Sequence, residues 1–210
     1  AIWRTALSSD QPSYHDYLHA LHAGPQSNHT LWVKKVLQAF ERFRLLCAVR
    51  EGDWGVTGLN TAIERELIAR KRLVKDGPWY AGRPVMVTRN DSALGVFNGD
   101  IGITLPSPDG LLRVYFLDGD QLRSVGVARL AHIETAFAMT VHKSQGSEFT
   151  HAALVLPAYG GSVLGRELVY TGITRAKAQC TVFTQHPKVL AQALAQPTQR
   201  HSGLLEFFDS

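Results

Sequence analysis

Ala138 to Phe149, AMTVHKSQGSEF, is the stretch from which the rest of this chain can be read. It grows out of an apolar lead-in, TAFAM, with β-strand character. Thr140 then supplies a residue able to cap a helix. His142, Lys143, Ser144, Gln145 and Gly146 follow in succession, and then Ser147 and Glu148. The chain goes on at once into a second apolar run, HAALVLP. A structural turn between two strands needs a glycine and one capping residue. It does not need His142, Lys143, Ser144, Gln145 and Glu148 together. The stretch therefore reads as a site that offers donors to phosphates or to a nucleic-acid backbone. A solvated helix N-terminus is the plainer alternative.

The totals bound what the rest can be. With 210 residues, there is room for one large or two small domains. Apolar residues make up 45% and charged residues 19%, so a packed core is expected rather than disorder. Twenty-two Lys and Arg against 18 Asp and Glu leave a charge of +4, compatible with an anionic partner without demanding one. Cys47 and Cys180 each sit in apolar runs, LLCAV and QCTVF, and read as buried free thiols of a reducing cytosol. Neither has a second Cys or a His at ligand spacing, so no metal site is expected. No apolar run approaches the ~18 residues of a membrane span. The N-terminus, AIWRTALSSD, has no signal-peptide pattern and no Met, which suggests a piece of something longer.

In chain order, YHDYLHALHAG reads as a short helix ending at Gly24, with Tyr14, Tyr17, Leu18 and Leu21 at helical spacing. Thr30 is the expected N-cap of a second helix carrying Leu31, Val33, Val36, Leu37 and Phe40. RLLCAV is short and unbroken, as a buried parallel strand would be. Arg50 follows it in a glycine-rich turn, where ligands gather in open α/β sheets; a surface arginine beside a turn is the alternative. Thr57 opens the helix GLNTAIERELIARKRL. After KDGPWYAGRP the texture changes. Short β-like runs punctuated by ND, NGD, SPDG and DGD suggest a small antiparallel barrel over 81–132, interrupting an α/β pattern. VYFLD and GDQL resemble catalytic motifs but fall about one hairpin turn, DGDQ. From 133 the α/β rhythm resumes. HAALVLP reads as a strand, AYGGSVLG as a loop without a phosphate-loop ending, RELVYTGITRAKAQ as a helix and CTVFTQ as a strand. HPKVLAQALAQ is a helix started by Pro187, and RHSGLLEFF a small C-terminal helix. Positions 168, 172 and 175 share nearly one helical face, so Arg175 is expected to project near a helix end. An exposed helix-terminal arginine is the alternative.

Four separated stretches then point to a family. LLCAVREGDWGVTGLN, GRPVMVTRNDSALGVFNGDIGI, AMTVHKSQGSEFTHAALVLP and RELVYTGITRAKA stand in that order. TVHKSQGSEF and ELVYTGITRAK resemble the fifth and sixth motifs of superfamily 1 helicases. The whole set closely resembles the RecD family, the alpha chains of bacterial exodeoxyribonuclease V, from about Leu31 to the C-terminus. The resemblance implies an α/β fold: a second RecA-like motor domain with a parallel sheet over 31–80 and 133–210. It also implies an inserted Src-homology-3-like barrel over 81–132, behind a partly helical lead-in of residues 1–30.

The resemblance also implies roles. Arg175 resembles the arginine finger that stabilises charge on a transferring γ-phosphoryl group. Arg50 resembles the fourth-motif arginine near the phosphates. Gly146 lets backbone approach nucleotide, and Glu148 resembles the acid on the ribose hydroxyl. Thr140, His142 and Lys143 resemble residues on the DNA backbone. Ser144 and Gln145 link the two sites, with Ser144 on the DNA side and Gln145 on the nucleotide side. Tyr170 and Thr174 are expected to brace the finger's helix. ATP with Mg2+ is the implied cofactor of the full-length protein, and motion is 5′ to 3′. The implied partners are single-stranded DNA, a first motor domain, and the beta and gamma chains of exodeoxyribonuclease V. No GxxxxGK[ST] and no magnesium-binding Asp-Glu occurs, so this chain alone is expected to hydrolyse no ATP. A DNA-binding or subunit-docking module with idle motifs is the competing reading, and an unrelated α/β enzyme a third.

Overall fold

Five consecutive buried residues make β1, Phe43–Cys47, a strand covered on both faces. In the computed structural model it is a central strand of a parallel sheet. β7 (Ala138–Thr140) lies on one side of it, and β8 (Phe149–Val155) then β9 (Ala176–Phe183) on the other. The structure describes residues 2–159 and 164–195.

Alternate side chains of these strands enter two different cores. Leu45, Cys47, Ala138, Ala153 and Val155 face α1 (Ile2–Ala6), α2 (Tyr14–Ala23), α3 (His29–Glu41) and α4 (Val56–Ala69). Leu46, Met139, Ala152 and Leu154 face α5 (Arg166–Ile173) and α6 (Pro187–Ala195). Such a three-layer arrangement buries a strand on both sides. The lead-in belongs to the first of these cores. Tyr14 and Tyr17 are fully buried against Phe40 and Phe137, and the Tyr14 hydroxyl donates to the Phe137 carbonyl.

A five-stranded antiparallel sheet enters between α4 and β7. Its strands are β2 (Pro84–Val87), β3 (Ile101–Pro106), β4 (Leu112–Asp118), β5 (Gln121–Gly126) and β6 (Ile133–Thr135). They lie in the order β5-β4-β3-β2-β6. Val85, Val87, Val114, Phe116 and Val125 form this sheet's own core. Ile103, Leu105 and Tyr115, on the alternate side, join the core beneath α3. The inserted sheet is thus packed onto the α/β part rather than tethered to it. Only Ala136 and Phe137 separate β6 from β7, so one continuous run serves both sheets.

Local expectations fared unevenly. α2 ends at Gly24, whose φ of 66° is the left-handed value that favours glycine. Asp118 and Gln121 pair across a two-residue hairpin, as DGDQ suggested. The cap of α3 is Asn28 rather than Thr30, because the Asn28 side chain accepts from the Leu31 amide at 2.9 Å. The helix expected over RELVYTGITRAKAQ stops at Ile173, and Ala176–Phe183 is strand instead. Pairing with β8, Phe149 against Ala176, outweighs the helical preference of AKAQ. Cys47 is buried, and burial pushes its thiol up to about 12; Cys180 is only half-buried. The expected helix in RHSGLLEFF lies outside the described residues, as does part of the AYGGSVLG loop.

Candidate functional site

The segment after β7 is a crossover between parallel strands made unusually short. Thr140 stands level with Cys47, and Cys47 with Val155. From Thr140 to Phe149 the chain must descend the length of β8 and pass beneath β1. That is about 22 Å in the nine steps from residue 140 to residue 149, against an extended limit of about 30 Å. Such connections usually take about a dozen residues and a helix. Here there is room for a single 3₁₀ turn, His142–Ser144, and a second turn in which the Ser147 amide donates to the Ser144 carbonyl at 3.0 Å. The expected helix start is therefore one 3₁₀ turn only. Gln145, Gly146, Ser147 and Glu148 are all exposed.

Each residue of the crossover has a visible task. The Thr140 hydroxyl accepts from the Lys143 amide at 3.2 Å, capping the turn. Ser144 is fully buried and donates to the Val141 carbonyl at 2.7 Å, so its side chain closes the turn from inside. His142 points to solvent. The Lys143 ammonium reaches Asn98 Oδ1 at 2.6 Å, joining the crossover to the loop between β2 and β3. Gly146 has φ 86°, a left-handed conformation in open space, and redirects the chain toward β8.

Arg175 is delivered to the same place from α5. Gly172 lets that helix lie directly on β8: a Cβ there would come within 2.9 Å of Leu154. Thr174 and Arg175 alone link α5 to β9, and the Arg175 carbonyl accepts the Phe149 amide at 2.8 Å. The guanidinium donates to the carbonyls of Thr171 at 3.2 Å and Ser147 at 3.3 Å, and to Thr174 Oγ1 at 3.4 Å. All three are longer than the usual ~2.9 Å N–H···O bond, so the group is aimed but loosely held. Glu148, next along, meets Lys177 of β9 at 3.4 Å in an exposed pair. The Thr174 hydroxyl also donates to the Thr171 carbonyl at 3.0 Å, at the end of α5, whereas Tyr170 is 69% exposed.

Arg50 is not part of this cluster. It pairs with Glu134 at 2.5 Å, on the run leading into the edge strand β7, whereas Arg175 leads into the opposite edge strand β9. Its neighbours across a cleft are Thr57, Asn60, Thr61 and Thr135. The structure brings Arg175, Ser147, Gly146 and Glu148 together and leaves Arg50 elsewhere.

Three contributors were not read from sequence. Arg44 of β1 is fully buried beneath the crossover, its guanidinium 4.1 Å from the Phe40 ring centre and 5.2 Å from that of Phe149. Burial holds its pKa below the ordinary arginine value. Asn60 of α4 donates to the Ala138 carbonyl and accepts its amide, at 3.0 and 2.9 Å, pairing the free edge of β7. Asn98 lies in the insert, in a stretch that reads as a turn. An arginine inside an apolar strand was the one signal available.

Residues 135–183 match the model of the UvrD-like helicase C-terminal domain. The RecBCD enzyme subunit RecD of Haemophilus influenzae is 42% identical over 167 residues, 79% of this chain and 25% of that protein. RecD of Mycobacterium tuberculosis H37Rv is 41% identical over 168 residues, 80% of this chain and 29% of that one. The ATP-dependent RecD2 DNA helicase of Deinococcus radiodurans is 31% identical over 165 residues, 78% of this chain and 23% of its own length. Among solved structures, a Bacteroides Pif1 helicase in complex with ADP-AlF3 and ssDNA superimposes with a TM-score of 0.50. The match covers 95% of this chain and 53% of that one at 16% identity, a likeness of fold alone. The chain spans about a quarter of the length of the RecD relatives. The motif stretches are held on a helicase-like α/β sheet, and the chain is similar to RecD proteins over about four fifths of its own length, with a segment that matches the UvrD-like helicase C-terminal domain.

Proposed function

We propose that this chain is the second motor half of an ATP-dependent 5′-to-3′ DNA helicase. Arg175 serves as the arginine finger, Glu148 accepts from the ribose hydroxyl, and Gln145 and Gly146 present backbone to the nucleotide. One observation supports this above the others: the Arg175 guanidinium and the Ser147–Glu148 backbone meet where β8 and β9 begin. A guanidinium held by three long bonds can exchange them for phosphoryl oxygens as charge develops there, typically worth ~10³-fold or more in rate. Arg50 pairs with Glu134 on the side of the sheet edged by β7, away from this cluster.

Thr140, His142 and Lys143 face the DNA backbone, and Ser144 keeps their turn in shape. The inserted sheet serves as a Src-homology-3-type module, with Asn98 as its handle on Lys143. Mg2+ enters with ATP on the missing half. Among the described residues no cluster of three metal-ligating side chains occurs. In the full assembly the chain works with the beta and gamma chains of exodeoxyribonuclease V. Alone it turns over no ATP.

Adding the chain to a separately expressed first motor domain with single-stranded DNA and Mg-ATP tests the reading. ATPase should appear only in the mixture. Turnover by the purified chain alone, abolished by Arg175→Ala, would place the whole active site within it and refute the half-site reading.

A further inference from the structure

A second basic surface lies across the sheet from the crossover. Successive turns of α2 present His15, His19 and His22, and the end of α4 presents Arg70, Lys71 and Arg72 opposite them. Together they line a groove of about 620 Å³ with Leu7 and Leu18 as its apolar wall. The nearby carboxylates are already engaged: Glu66 with Arg70 at 2.7 Å, and Asp16 with Arg42 at 3.1 Å. Among the described residues no ion pair compensates Lys71 or Arg72.

Two local details hold the groove open. His22 Nε2 donates to the Arg72 carbonyl at 2.8 Å, tying one wall to the other. Lys71 occupies the position after the helix cap with φ 55°, where glycine is the usual residue. A lysine is thus kept at a place its backbone disfavours. Cations after a helix C-terminus are favoured by its dipole, which would explain Arg70. The dipole explains neither the left-handed Lys71 nor three histidines on the facing helix.

We propose that this groove binds the phosphate backbone of a stretch of nucleic acid distinct from the strand on the Thr140–Lys143 turn. The inference rests on the reading of the chain as a nucleic-acid motor. Helices α2 and α4 cover one face of the sheet, and the crossover covers the other. One phosphate run on the turn therefore cannot also occupy the groove.

The test is fluorescence anisotropy of labelled single-stranded and duplex oligonucleotides with the 210-residue chain over a salt series. Lys71→Gly should raise the melting temperature, because it relieves the left-handed lysine, and yet weaken binding by about threefold. A purely structural Lys71 would give the first change without the second. Lys71→Glu with Arg72→Glu should weaken binding by about tenfold and flatten the salt dependence by about 0.7 per lost single-strand contact. Lys143→Ala, measured alongside, separates the two surfaces. If it alone abolishes binding and the groove variants bind normally, the groove proposal falls and the turn stands. If only the groove variants weaken binding, the groove stands and the turn does not. Displacement by polyglutamate at equal charge concentration would overturn the proposal in favour of an acidic polypeptide.

Discussion

The guanidinium of Arg175 donates to the carbonyl of Ser147 at 3.3 Å, across the start of two parallel strands. The two residues lie on different polar motifs, yet the Phe149–Arg175 backbone bond of 2.8 Å locks their positions. The short crossover makes this possible. With only a 3₁₀ turn between β7 and β8, the exposed segment Gln145–Glu148 passes the end of α5.

Gly146 sets the direction of that run. Its φ is 86°, and a Cβ added to it would meet nothing within 4 Å, so the cost of a side chain there is all backbone. Gly146→Ala should lower stability by about 1–2 kcal/mol in urea titrations, and Gly146→Asn by less. An unchanged midpoint for Gly146→Ala would mean that the turn does not need the left-handed conformation.

Asn60 closes the open edge of β7 with a donor and an acceptor. Asn60→Ala leaves the amide and carbonyl of Ala138 unpaired inside the core and should cost about 2–4 kcal/mol. Asn60→Asp, which keeps only the acceptor, should also destabilise. Chemical denaturation of both variants at pH 7 checks this.

Arg44 is a buried cation with its Nε unpartnered and its Nη1 on the Ala136 carbonyl at 3.1 Å. Arg44→Ala should destabilise by about 3 kcal/mol, through a cavity against Phe40 and Phe149. Arg44→Met, which refills the space without a charge, should stay within about 1 kcal/mol of the parent in the same assay.

His151 ties the lead-in to the sheet. Its Nδ1–H donates to the Pro12 carbonyl at 2.8 Å, and Nε2 faces the Thr181 hydroxyl at 2.9 Å. Burial lowers its pKa below the ordinary 6.5. The unfolded chain therefore binds the proton first. This contribution to stability is complete above about pH 6.5 and is lost as the pH falls toward the folded value, at a slope of up to ~1.4 kcal/mol per unit. His151→Gln should be less stable at pH 7.5 but flatter between pH 7.5 and pH 5. Parallel slopes for the two proteins would contradict it.

Much of this was legible in the residues, for physical reasons. RLLCAV read as a buried strand, Gly24 as a helix end, and DGDQ as a tight hairpin. What stayed hidden depended on neighbours far along the chain. AKAQ has helical preferences and becomes strand because β8 offers a ladder. Asn28 and Thr30 are both competent caps, and only the backbone path selects one. Arg50 and Arg175 follow similar apolar runs, and no local feature says that they end on opposite edges of the sheet. Asn60 and Asn98 look like ordinary helix and turn residues until their partners, 78 and 45 positions away, are in place.

Steady-state ATP hydrolysis by the chain joined to its first motor domain, with saturating single-stranded DNA, bears most directly on the role of Arg175. Arg175→Ala should lower kcat by about 10³-fold or more with little change in KM, and Arg175→Lys should rescue only a small part, since an ammonium lacks the guanidinium fork. A kcat within a few-fold of the parent for Arg175→Ala would contradict it.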